Sequence, residues 1–300
     1  MIKYIRPEEE RLLLKKDGLY ATDLGYYLLW FEFLAMSPSY ELARKYHSNQ
    51  WSKEDKAKRP PDFDQVLKVY ADLGDVQRVL FQDWWTNRAF DAFGQRGKQP
   101  RVEKVAYVDP DCDSHFGDAA DLFIEGAWNE TGRQPTLIVA IPIGLTRNLI
   151  SRHINKMLDL YPDESRTLRV IPAKYGLQPI NLHHDSYIRY LYVLWHRCSY
   201  PEDPLWKIGA RTKISGTYSH RLDPTRHSGR HVAVKDKEKL KILTHRAIAR
   251  GKMMAENAAR GVFPSYQKCP HAIPFDLEEL NIMKLKRRRW FKLNESPEHF

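Results

Sequence analysis

Cysteine is scarce in this chain of 300 residues: Cys112, Cys198 and Cys269 are far apart, odd in number and absent from any CxxC pair. That usage argues against a disulfide framework and fits a reducing compartment. Neither Cys198 and Cys269 with His271, nor the pair His183-His184, has the spacing of a standard zinc ligand set. Long apolar runs are missing as well. No stretch approaches the roughly 20 apolar residues that span a bilayer, and the first ten residues lack the apolar core of a secretory signal. A cytoplasmic protein without membrane association is the expectation. Short-period repeats and low-complexity tracts are absent, and so are a Walker-type Gly-rich loop, GxGxxG and GxSxG. These absences argue against a nucleotide-driven motor or a Rossmann dehydrogenase and leave no cofactor implied.

Net charge is also missing from most of the chain. Residues 207–260 hold fourteen Lys/Arg against four acids, a net of +10. The whole sequence has 48 basic and 38 acidic residues, the same excess, so the remainder is neutral. Positive charge gathered in one segment points to a polyanionic partner. Nucleic acid, with double-stranded DNA first, is the candidate, because phosphate neutralisation with counterion release drives sequence-independent affinity.

What is present is enough for a folded core, with 42% hydrophobic and 12% aromatic residues. The pattern predicts a mostly α protein with a small α/β layer, an α+β chain. It has three parts: a helical N-terminal unit (1–97), a small α/β unit (98–182) and a basic helical unit (183–300). Residues 24–36 are apolar at nearly every position, with Glu32 the one charge, and read as a helix buried on most faces. Ser37-Pro38-Ser39 interrupts it and supplies a cap and a first-turn proline for a helix to His47. Residues 48–62 read as a loop, and 63–73 and 76–93 as two further helices. Residues 102–108 (VEKVAYV) read as a strand by alternation and β-branched content and 136–143 (TLIVAIPI) by a continuous apolar run of strand length, with a third strand at 168–171. A helix at 146–160, capped by Thr146, completes a strand, helix, strand fragment.

Helices return at 186–197 and 205–212. A helix, a turn and a short helix with the pattern Leu205-x-x-Ile208-Gly209 resemble the first two helices of a helix-turn-helix, in which two apolar residues three apart dock the short helix on the first. An ordinary helical hairpin fits the same residues. The departure is at 215–231, where a recognition helix belongs and the sequence is polar, rich in Gly, His and Arg, and without apolar period. That stretch reads as a loop or arm whose Arg221, Arg226 and Arg230 suit phosphate contacts and groove insertion. A long helix follows at 236–260, closed by Gly261, with Leu240, Leu243, Ala247, Ile248, Met254, Ala255 and Ala258 as its buried stripe. Its Lys237, Lys241, Arg246, Arg250 and Lys252, together with Lys213 before the arm, are the candidate phosphate contacts. The final cluster, 284–292, adds Lys286, Arg287 and Arg288 as backbone contacts and Trp290 and Phe291 as rings able to stack on unpaired bases.

The most distinctive strings lie near the start: Trp30-Phe31-Glu32-Phe33-Leu34 with Ser37-Pro38-x-Tyr40, and Leu73-Gly74-Asp75 with Phe81-x-Asp83-Trp84-Trp85. They resemble those of poorly characterised bacterial proteins from mobile elements and regulatory neighbourhoods. The resemblance covers about a quarter of the chain and implies a setting, not an activity. Packing of large aromatics explains the same residues.

For catalysis the densest acidic stretch holds Asp111, Asp113, His115 and Asp118, a set able to bind a divalent cation for phosphoryl chemistry. The Glu-x-Lys that a nuclease strand requires is absent, and a polar loop accounts for these residues. The sequence therefore reads first as a non-catalytic DNA-binding protein, a regulator or accessory factor of a bacterial mobile element, with no metal. A metal-dependent nuclease is the alternative. A scaffold subunit of a nucleic-acid complex is the third reading, one that exposes an apolar patch including some of Tyr26, Trp30, Trp84 and Trp85 as an interface for a protein partner or a second copy.

Overall fold

The computed structural model describes residues 15–16, 19–21, 24–96, 101–109, 116–131, 133–161, 173–178, 184–222 and 233–294. In chain order its helices begin with α1 (Leu24–Leu34), α2 (Pro38–His47), α3 (Lys53–Ala57), α4 (Phe63–Leu73), α5 (Phe81–Trp84) and α6 (Phe90–Phe93). Then come α7 (Phe116–Phe123), α8 (Arg147–Leu158), α9 (His184–Ser199), α10 (Leu205–Arg211), α11 (Gly216–Arg221), α12 (Ala233–Ala258) and α13 (Leu277–Asn294). Three two-residue strands, β1 (Lys15–Lys16), β2 (Leu19–Tyr20) and β3 (Gln95–Arg96), form an antiparallel sheet in the order β1-β2-β3. In its register Lys16 faces Leu19, and Tyr20 faces Gln95. Two compact units result: one contains Thr22–Phe93 and Lys174–Phe300, the other Leu14–Ala21 and Gly94–Ala173.

The first unit merges what the sequence suggested as separate N-terminal and C-terminal parts. α1 is buried along most of its circumference, as its unbroken apolar run requires, with Leu29, Trp30 and Phe33 fully enclosed. Trp30 stacks on Phe263 at 5.2 Å between ring centroids, lies 4.7 Å from Phe93, and donates its indole N–H to the Ala258 carbonyl at 3.2 Å. Residues more than 200 positions apart thus share one aromatic core. Each such ring pair adds about 0.5–1.5 kcal/mol beyond simple burial. Between α5 and α6 the chain widens into a π-helical turn, Trp85–Ala89, which sets Trp85 and Phe90 into the same core. The interface expected from Trp30, Trp84 and Trp85 is therefore not at the surface: the three rings are 0–2% exposed.

Local signals act where the sequence placed them. Ser37 caps α2, accepting from the Tyr40 N–H at 3.2 Å, with Pro38 in the first turn. The 48–62 segment, expected as a loop, contains α3. Its Ser52 and Asp55 form a reciprocal capping box, a device that supports a helix too short to show periodicity. Gly74 ends α4 at φ 71°, a left-handed conformation that favours glycine, and its carbonyl accepts from the buried Tyr40 hydroxyl at 2.7 Å.

One buried carboxylate ties these segments together. Glu256, near the C-terminus of α12, is fully buried. Ser37 and Ser39 donate their hydroxyls to it at 2.7 and 2.6 Å, and the Ser39 and Ile273 N–H groups add bonds at 3.2 and 3.1 Å. Arg260 completes the set at 3.0 Å and forms a two-pronged pair with Asp62 at 2.6 and 3.0 Å. Arg260 also donates to the His271 carbonyl at 2.8 Å. A buried charge is tolerated only when paired and hydrogen-bonded on all sides, which this arrangement provides.

The C-terminal helices approach one another through small residues. A β-carbon on Gly251 of α12 would lie 2.7 Å from Leu194 of α9, and one on Gly209 of α10 would collide with the Thr244 hydroxyl of α12. α10, α11 and α12 enclose a small cluster of Ala210, Leu222 and Leu240, flanked by Trp206, Ile214 and Tyr218.

The second unit corrects the expected fold class. Its helix α8 forms where it was placed, capped by Thr146. The expected α/β layer, however, is not formed. Residues 102–108 and 136–142 form no regular element and Ile143 lies in a turn; no described residue pairs with either segment in a sheet, and Val102, Val108, Ile138 and Ile143 stay exposed. The 168–171 strand falls outside the described residues. β-branched content gives a segment the propensity to extend, while a sheet needs a neighbour, and single-strand periodicity does not supply one. Pro135 and Pro142 remove donors at the ends of the second segment. Its start is held locally, by the Gln134 carbonyl accepting from the Trp128 indole at 2.6 Å. Among the described residues the protein is helical, and no helix is long and apolar enough to cross a membrane.

Replacing Glu256 by Ala leaves Arg260 without its inner partner and strips the two α2 serines of their acceptor. The expected loss is about 3–5 kcal/mol of unfolding free energy, against about 1 kcal/mol for Ser39→Ala. Urea denaturation followed by tryptophan fluorescence measures both, and an unchanged midpoint for Glu256→Ala contradicts the assigned role.

Candidate nucleic-acid interface

α12 begins three residues before the expected start and ends two before the expected stop, with Gly261 at φ 79° closing it. Its buried side is the expected one: Leu240, Ala247, Met254, Ala255 and Ala258 are enclosed. In the last two turns burial extends all round, from Met254 to Arg260, where Glu256 enters the network. The cations are left to the upstream part.

They divide by azimuth. At about 100° per residue, Lys235, Lys239, Arg246 and Arg250 fall within about 60° of each other, and all four are exposed. At a rise of about 1.5 Å per residue the stripe runs about 22 Å, the axial length of six or seven phosphates along one strand of duplex. Between Lys239 and Arg250 there is no acid in the sequence. Lys235, Lys239 and Arg246 form no ion pair with a described residue, while Arg250 takes the Tyr190 hydroxyl at 2.8 Å and faces the Tyr266 ring at 4.9 Å.

The expected contacts do not all join this stripe. Lys237 and Lys241 lie on the other flank of α12: Lys237 is 4.8 Å from the Trp206 ring centre, and Lys241 is 3.6 Å from Glu238. Lys252 sits over the Phe275 ring, and burial pushes its ammonium below the usual lysine value. Arg221 is half-exposed and 3.5 Å from Asp236. Lys213 is exposed at φ 51° in the turn between α10 and α11. Arg226 and Arg230 fall outside the described residues. The polar stretch after Ser215, expected as non-helical, opens with α11, capped by the Ser215 hydroxyl accepting from the Tyr218 N–H at 3.3 Å. A helix, turn and short helix therefore stand where the helix-turn-helix resemblance lacked its third piece, although α11 has only six residues.

The final cluster is helical, in α13, and its three expected contacts separate. Lys286 and Arg288 are exposed, but Arg287 is buried. Its guanidinium forms a two-pronged pair with Glu32 of α1 at 2.7 and 2.8 Å, donates to the Val76 carbonyl at 3.2 Å, and lies between the Phe31 and Phe291 rings. Lys284 is half-buried, donates to the Ser199 hydroxyl, and is likewise held below the usual lysine value by burial. Trp290 and Phe291 are half-buried and pack edge to face at 5.5 Å.

Of the acidic set, Asp118 is exposed on α7, whereas Asp111, Asp113 and His115 fall outside the described residues. Among the described residues no group of three or more His, Cys, Asp or Glu is arranged to hold a metal ion. Sequence reasoning missed Lys235 and Lys239. Their spacing to Arg246 and Arg250, four, seven and four residues, is the signal that identifies the exposed stripe. Comparison of the chain with protein families, with curated proteins and with solved structures finds no match.

The burial of Arg287 separates stability from binding in α13. Arg287→Ala leaves Glu32 uncompensated and is expected to cost about 3 kcal/mol, while Lys286→Ala stays within about 0.5 kcal/mol of the parent. Chemical denaturation of the two variants checks this; an Arg287→Ala protein as stable as Lys286→Ala contradicts it.

Proposed function

We propose that the protein is a non-catalytic, double-stranded-DNA-binding factor that docks on the phosphate backbone through the outer stripe of α12. The observation that supports this reading most is the alignment of Lys235, Lys239, Arg246 and Arg250 on one exposed side of a helix, with no acid in the sequence between Lys239 and Arg250. A row of cations on a rigid helix neutralises consecutive phosphates without ordering a flexible segment, and releases condensed counterions on contact. The resemblance of the N-terminal motifs adds the setting, a regulator or accessory factor of a bacterial mobile element.

The reading has a definite salt dependence. Four phosphates neutralised give a slope of log K against log [salt] of roughly −3.6 on a random duplex, at about −0.9 each. The double variant Lys235→Ala/Lys239→Ala is expected to flatten that slope by roughly 2. Lys237→Ala/Lys241→Ala removes the same formal charge from the other flank and is expected to change it by less than half as much. Fluorescence anisotropy titrations over a range of KCl concentrations measure all three proteins. Absence of binding at low salt removes the proposal, and equal effects of the two double variants remove the stripe.

A further inference from the structure

We infer that Tyr266 is a preorganised stacking platform for an unpaired base, placed at the C-terminal end of the cation stripe. This rests on the DNA-binding reading and adds a ligand class: duplex that continues into a single strand. The inference starts from an exposed ring that the fold holds still. Tyr266 lies in the segment after α12 and is 42% exposed. The residues on either side of it are fixed by one buried amide. Asn257 of α12 donates to the carbonyls of Ser265 and Gln267, each at 3.0 Å, so its NH₂ group bonds both neighbours of Tyr266. The Gln267 N–H closes back on the Ser265 hydroxyl at 3.4 Å, and Ser265 itself is buried.

One face of the ring also carries a cation. The Arg250 guanidinium sits 4.9 Å from its centre, and Arg250 is in turn fixed by the Tyr190 hydroxyl. A core aromatic needs no exposed surface, and a solvated loop tyrosine needs no buried amide under both of its neighbours. A partly exposed ring, with its chain neighbours fixed in advance and the last cation of a phosphate-binding row over one face, is the combination that single-strand sites use. There the ring stacks a base and the cation neutralises its phosphate. With Trp290 and Phe291 packed against each other, Tyr266 is the exposed ring that the fold sets beside the stripe. Fixing ring and loop beforehand removes the ordering cost that a mobile side chain would meet on binding.

The experiment uses the full chain and two fluorescent DNA probes of the same duplex sequence, one blunt and one with a short single-stranded tail carrying 2-aminopurine at its first unpaired position. The parent protein is expected to bind the tailed probe about 5- to 100-fold more tightly than the blunt one and to change the 2-aminopurine emission on binding. Tyr266→Phe keeps both effects, because the stacking face survives. Tyr266→Ala brings tailed-probe affinity down to the blunt-probe value and abolishes the emission change. Salt-dependent binding of both probes with no tail preference, or with a preference that Tyr266→Ala leaves intact, overturns the stacking role while the stripe stands. Failure to bind either probe overturns the DNA-binding reading and this inference with it.

Discussion

The charge of Glu256 lies where no water reaches it, and the rest of the fold is arranged around making that tolerable. An isolated charged carboxylate in such a place would cost several kcal/mol, a large share of a domain's total stability. Glu256 is compensated by donors from the start of α2, from the segment before α13, and from Arg260 just past the end of α12, while Asp62 before α4 balances Arg260 in turn. These partners are rigidly placed, so they fix the rotation and depth of α12. With the helix held at its C-terminal end, the direction in which each upstream cation points is decided as well. The network that unites the N-terminal and C-terminal segments also sets which cations of α12 face outward.

Positive charge in the sequence and positive charge on the surface are consequently different quantities. Arg260 and Arg287 belong to the two basic clusters by position, yet each is absorbed by acids far away in the chain, Asp62 and Glu32. Lys207 and Arg211 both reach Asp203, which bonds from Lys207 first and then Arg211 hold below the usual carboxylate range. Lys235, Lys239 and Arg246 meet no acid among the described residues and remain as field sources. Small residues enable this sorting: Gly209 and Gly251 let α10 and α9 press on the inner side of α12.

How much of this was legible in the sequence depends on whether the determining interaction is local. The helices α2, α4 and α12 follow from a cap, a first-turn proline or a 3.6-residue apolar period, all contained in the segment itself. α3 is stabilised by a capping box and α11 by a serine cap, both with little apolar repeat, and periodicity passes over them. The 102–108 and 136–143 segments show the opposite failure, since strand composition was present but the partner that makes a strand was not. In the interface, the stripe was readable from spacing along one helix, whereas the loss of Arg287 to Glu32 was not, because the pair is separated by 255 residues. Tyr266 had no signal at all: the amide that positions it lies on another element, and an isolated tyrosine between Ser265 and Gln267 is unremarkable in sequence.

The most direct test of the outer stripe as the DNA surface is lysine footprinting. The folded protein is acetylated briefly with and without a saturating duplex, and the change at each lysine is read by mass spectrometry. Lys235 and Lys239 are expected to lose most of their reactivity on the duplex, while Lys53, Lys56 and Lys286, on other helices, keep theirs. Protection centred on Lys286 and Lys292, or spread evenly over all exposed lysines, would contradict the account.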